Sequence, residues 1–210
     1  MLPLVTTLVS GAFAATVALQ YARKRRPAQL AWAIGLLLFA VAAFMGFLAR
    51  TGGATDVEYR LFYLFGAIVS VAWLALGTIL IVAPRFGRAA LAAVLALSAV
   101  AVYAVFASPV DLAVAVDTGR GFPDGSLPRI LAGIGSGLGS LVLIGGALWS
   151  TWVFFRRRDQ GRRALANAII AVGVFIAAAG GTAAFTGASG ILELTNLVGV
   201  SVMFVGFLLA

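Results

Sequence analysis

Seven apolar runs, each about 20 residues long, leave this chain little choice of solvent. They lie at roughly 2–22, 28–49, 60–83, 88–107, 129–155, 164–186 and 190–210. A helix of that length rises about 30 Å, enough to cross the hydrocarbon of a bilayer. In lipid every backbone polar group must be paired within the element, so unbroken runs of this kind are helices. The balance of residue types agrees: 62% are hydrophobic and 10% charged, whereas a soluble domain carries about a quarter charged residues. The expected fold is all-α, a polytopic membrane bundle forming one seven-helix domain over 1–210.

The breaks between runs carry their own logic. Pro27 stands where a helix start tolerates it. "APRFGR" (83–88) divides the third run from the fourth. The one long connection, 108–128, holds three prolines and three aspartates and reads as a solvated loop. The opening "MLPLVTTLVSGAFAATVALQ" has no positive residue ahead of its apolar run, so it reads as a retained first span rather than a signal peptide.

Arginine placement orients the spans. "RKRR" (23–26), Arg85 with Arg88, and the five arginines of "RRRDQGRR" (156–163) put eleven positive residues on one side. Arg50, Arg60, Arg120 and Arg129 put four on the other. The positive-inside rule then places the N-terminus outside, the C-terminus inside and the 108–128 loop outside, in a cytoplasmic membrane. The net charge of +8 comes from these clusters. They touch anionic headgroups and set topology, and they do not form a nucleic-acid face.

Cysteine and histidine are both absent. That removes disulfides, zinc sites of the Cys or His type, haem ligation by those residues and any histidine base. No nucleophile–base pair or metal constellation is visible, so neither an enzyme nor a cofactor is expected.

Two helix faces stand out. In the third span Tyr59, Tyr63, Gly66, Ser70, Trp73 and Gly77 recur every three or four residues and share one face. Such a stripe is either a close helix contact or one wall of a pocket, with Leu74 on the less demanding flank. In the fifth span "GIGSGLGS" (133–140) begins two adjacent small faces, one through Gly135, Gly139 and Gly146, the other through Ser136, Ser140 and Ala147. They mark a central helix, or else a locally unwound one that offers carbonyls to an ion.

Glu193 is a carboxylate inside the last apolar run. It lies about one turn from the outer end, where a charge costs far less than at the midplane. Asn196 shares its face. Arg60 and Arg129, at similar depth, are the expected partners, Arg60 first. The four residues form either a structural clasp or the polar rim of an outward pocket walled by Tyr59 and Tyr63.

The chain also hints at repetition. The first and fifth runs each precede a basic cluster, and the third and seventh align when Gly66 is set on Gly199. Parallel repeats in a 3+1+3 plan are one transporter architecture, although any two apolar helices align passably.

The stretches "YRLFYLFGAIVSVAWLALGT" (59–78), "GALWSTWVFFRRR" (146–158) and "VGVSVMFVGFLLA" (198–210) resemble uncharacterised seven-helix integral membrane proteins of high-GC bacteria, a family without an established activity to carry over. The topology resembles seven-helix sensor modules. It is also similar to the microbial rhodopsins, but the only lysine, Lys24, lies in a loop where it cannot hold retinal. Three functions follow as expectations. The first is a ligand-binding or sensory module for a small or lipid-like molecule. The second is a small-solute transporter on the 3+1+3 plan. The third is an accessory subunit packed against a second copy or a membrane partner.

Overall fold

The computed structural model describes residues 1–118, 120–156, 160–186 and 191–209. Of the expected basic loop, Arg157, Arg158 and Asp159 lie outside the described residues, as do Gly190 and Ala210 of the expected seventh span.

Helices α1 (Leu2–Lys24) and α2 (Pro27–Gly52) form a hairpin. The turn is made by Arg25 in the left-handed conformation and by Pro27 at the first position of α2. Helix α3 spans Asp56–Val82. It opens with a reciprocal cap in which the Glu58 N–H donates to Thr55 Oγ1 and the Thr55 N–H to Glu58 Oε2. A 3-10 turn at Pro84–Phe86 leads into α4 (Gly87–Ala107). The short α5 (Leu112–Thr118) lies within the long connection, and α6 spans Leu127–Phe155. Helices α7 (Gly161–Phe185) and α8 (Ile191–Leu209) complete the chain. Seven of these eight are long and apolar enough to cross a membrane. This is an integral membrane protein, with a basic face at residues 23–26, 83–88 and 160–163 and a loop face at 50–56 and 108–126.

Six of the spans close a ring: α1 packs on α2, α2 on α3, α3 on α6, α6 on α7, α7 on α8, and α8 back on α1. Helix α4 lies outside the ring against α3 and the start of α6. An apolar cluster joins all six, with the buried hydroxyls of Thr6 and Ser10 on the same face of α1 and bonded to that helix's own carbonyls. Phe13 and Val17 of α1, Leu36 of α2, Leu74 of α3, Leu143 of α6, Val174 of α7 and Val200 of α8 belong to it. Phe13 stacks on Phe204, with centroids 4.9 Å apart.

The ring is built twice over. A Cβ on Gly35 of α2 would come 2.8 Å from the Ser70 carbonyl and from Leu74 of α3. On Gly173 of α7 it would come 2.7 Å from the Gly199 carbonyl and 2.6 Å from Met203 of α8. Gly77 of α3 sits against Ala28 and Trp32 of α2, and Gly206 of α8 sits against Ala166 and Ile170 of α7. Gly66 meets Ala42, just as Thr195 meets Gly180. One constant shift converts each α2 partner into its α7 counterpart, and another converts each α3 partner into its α8 counterpart. The α1–α8 and α3–α6 contacts then exchange. Backbones approach this closely only where side chains are absent or small, so matching glycine registers are a sensitive marker of related packing. The repeat hinted at in the sequence is therefore a feature of the packing, with its register corrected by one turn. Gly199 corresponds to Ser70, and Gly66 to Thr195.

Two further expectations change. Leu74 does not lie on a lipid-facing flank. It is in the axial cluster and only 9% exposed. Nor is the 108–128 connection simply solvated, since it contains α5 and buries Phe122 to 1% exposure.

Candidate functional site

The six-residue stripe of α3 is divided by a wide, π-helical turn at Tyr63–Val69, in which the Ser70 N–H donates back to the Phe65 carbonyl. The extra residue in such a turn offsets the positions on either side of it, so spacings of three and four no longer keep to one face. Gly66, Ser70 and Gly77 are set against α2. Tyr59 and Tyr63 turn toward the loop face, and Trp73 lies toward α4. A second π-helical turn, Gly133–Leu138 in α6, faces the first. Gly135 lies on the Ile68 carbonyl, and Ser136 Oγ donates to the Ala67 carbonyl at 2.7 Å. The helix of "GIGSGLGS" is therefore widened rather than unwound, and a hydroxyl answers the displaced carbonyl. The Gly135–Gly139–Gly146 face does pack on α3. Gly133, Gly137 and Gly145 lie open on the other side of α6.

At the loop face Phe122 stands against both tyrosines, its ring centroid 5.6 Å from Tyr59 and 4.9 Å from Tyr63. The Gly121 N–H donates to Tyr59 Oη at 2.8 Å, and the Asp111 N–H to the Gly121 carbonyl at 2.9 Å. No other residue fits at 121, because a Cβ there would lie 2.6 Å from that of Ala115 and 2.9 Å from the Tyr59 ring. Asp124 receives Arg120 at 2.9 Å and Arg129 at 2.6 Å, and the Arg129 side chain is 9% exposed. Tyr59 and Tyr63 lie with ring centroids 6.0 Å apart, and a residue of the outer connection covers both.

Glu193 does have an arginine, though not the expected one. Arg50, at the end of α2, places Nη2 2.5 Å from Glu193 Oε1, with the Glu193 side chain 22% exposed. Arg60 is engaged elsewhere. Its Nε binds Asp56 at 2.6 Å, and its Nη1 donates to the carbonyls of Val105 and, at 2.9 Å, Ser108. In this way it satisfies the otherwise unpaired end of α4. Arg129 belongs to Asp124. Asn196 is half-buried a turn further along α8. Glu193, Arg60 and Arg129, expected to form one rim with Asn196, thus serve three separate contacts. Arg50 ends its span, and sequence position does not reveal that α2 and α8 come together at the loop face.

Near the basic face, a groove of about 280 Å³ lies between α2, α3 and α4. Its walls are Leu30, Ala31, Leu76, Leu80 and Leu91, Trp73 stands at its inner end, and Pro27, Pro84, Gly87 and Arg88 form its mouth. Of the residues lining it, the sequence singled out only Trp73 as a pocket candidate; the rest come from three helices whose faces only the fold brings together.

Fold and groove together define a seven-helix integral membrane protein with an apolar recess between three of its spans. Compared with known proteins, the chain matches no family, no curated protein and no solved structure.

Proposed function

We propose that this chain is a ligand-binding or sensory module of a cytoplasmic membrane, and that its ligand is lipid-like and enters from the bilayer. The observation that carries this reading is the groove between α2, α3 and α4, whose walls are apolar and include the part-exposed Leu30 and Leu91 of two membrane-crossing helices. Its volume is close to the lower end, about 300 Å³, of common ligand pockets. Phe122 fills the outer aromatic wall, so an approach from water at that point is blocked. In the same reading the basic face is cytoplasmic and the N-terminus external.

Native mass spectrometry of protein extracted gently from its membrane tests the proposal. One retained lipid-mass adduct per chain is expected. It should disappear when the groove is filled by Leu91→Trp, a change at a residue 41% exposed that leaves the core untouched. An adduct that persists undiminished in the filled variant would sink the reading.

The doubled register of the ring favours a second reading, a transporter on the 3+1+3 plan. Against it stands the cluster of Phe13, Leu36, Leu74 and Val174 at the ring's centre, which offers a polar solute no partner, while the buried hydroxyls of Thr6 and Ser10 are already bonded within α1.

A further inference from the structure

We propose that the groove holds one acyl chain of an anionic phospholipid from the leaflet at the basic face, with its phosphate at Arg88. This rests on the lipid-entry reading above and names the ligand's class.

The dimensions fit a chain. From Trp73, at the inner end, to the end of α3 at Val82, the helix rises about 14 Å. One leaflet's hydrocarbon is about 15 Å deep, half the ~30 Å core. The groove therefore runs from the headgroup level to near the bilayer's middle. Its walls provide leucines and alanine along that length, the lining a chain of methylenes needs.

The charge fits a phosphate. Arg88 lies in the mouth beside Pro84 and Gly87. It is exposed, and no ion pair involves it among the described residues. This sets it apart from Arg60, Arg120 and Arg129, each paired with an aspartate. Arg88 sits in the first turn of α4, where the helix dipole also favours an anion. Arg26 directly precedes Pro27, which lines the mouth, so the 23–26 cluster adds positive charge at the same level. A zwitterionic headgroup would meet this cluster with its own cation and gain less.

Trp73 reports on occupancy because bromine on an acyl chain quenches a neighbouring indole. The protein is reconstituted in phosphatidylcholine vesicles with a small fraction of chain-brominated phosphatidylglycerol or chain-brominated phosphatidylcholine. The Trp73 signal is the difference between wild type and Trp73→Phe, each measured with its three other tryptophans present. Brominated phosphatidylglycerol is expected to quench that signal at about one-fifth the mole fraction needed for the brominated choline lipid. Arg88→Gln should abolish the preference, while Arg85→Gln, which lies outside the groove lining, should keep it. Equal quenching by the two lipids overturns the anionic site while leaving lipid entry intact. Absence of Trp73 quenching by either lipid overturns both.

Discussion

Replacing Phe122 by alanine tests whether the outer connection is a docked part of the bundle or a loop that merely lies near it. The ring is 1% exposed and touches two tyrosines. Removing a buried phenylalanine costs about 3–5 kcal/mol, transfer and cavity terms together. Most of that cost should fall on loop docking rather than on the seven spans, because Phe122 is the largest buried side chain by which the connection packs on the tyrosines, beside the Gly121–Tyr59 hydrogen bond, the Asp124–Arg129 bridge and the buried Ala115. At the lower figure the open population rises by about a hundredfold, since each 1.4 kcal/mol is a factor of ten. Arg120 is the reporter. Its side chain is 33% exposed and held by Asp124, and the bond after it is a trypsin site. Limited trypsin digestion in detergent should cut wild type slowly at Arg120 and the variant at least tenfold faster, with thermal melting of the bundle lowered only slightly. Leu127→Ala, at a residue 43% exposed, should change neither. An Arg120 cleavage rate within threefold of wild type, with the variant folded, would refute the docking argument. So would a large fall in bundle melting unaccompanied by faster cleavage.

The other expectations are narrower. Glu193→Gln and Arg50→Gln should each lower thermal stability in detergent, and a double-mutant cycle should return a coupling of about 0.2–1 kcal/mol, as for a partly exposed pair; Glu193 with Arg60 should return none. Gly77→Leu and Gly206→Leu should be comparably damaging, because a Cβ added to either would lie 2.9 Å from a neighbouring backbone carbonyl, whereas Gly137→Leu, whose Cβ would meet nothing within 4 Å, should be tolerated in monomer melting. Damage from only one of the first two would break the equivalence of the halves. With cysteine placed at Ser108 and, separately, at Gln160, an impermeant reagent applied to intact cells should label 108 and spare 160, and the reverse would invert the proposed topology.

The spans were legible because hydrophobic run length depends on composition alone, and each predicted stretch falls on a transmembrane helix. What could not be read was register. The Tyr59–Gly77 stripe assumes 3.6 residues per turn throughout, and the π-helical turn at Tyr63–Val69 breaks that assumption. No local signal marks it, and what it packs against is the facing turn of α6, nearly 70 residues away. The partner of Glu193 failed for a similar reason, because depth was readable but ring order was not. Phe122 left a fainter trace. A phenylalanine amid "GRGFPDG" is out of place in a solvated loop, and a large apolar residue there asks what covers it.

The doubled ring also indicates where the two halves stop being equivalent. Helix α4 is the one span outside the repeat, and it supplies the third wall of the groove against α2 and α3. Among the described residues no helix stands in the corresponding place beside α7 and α8. The recess is therefore a product of broken symmetry, and side chains at corresponding positions should differ in consequence. Trp73 lines the groove, while its counterpart by register in α8 is Val202, a smaller residue. Truncating each to alanine separates packing from recognition. A ring that uses both sites only for packing should lose comparable stability per methylene removed, about 1 kcal/mol each, and retain the same lipid adduct in both variants. A groove that recognises its occupant should lose the adduct in Trp73→Ala and keep it in Val202→Ala. Retention of the adduct in both variants would return Trp73 to an ordinary packing role.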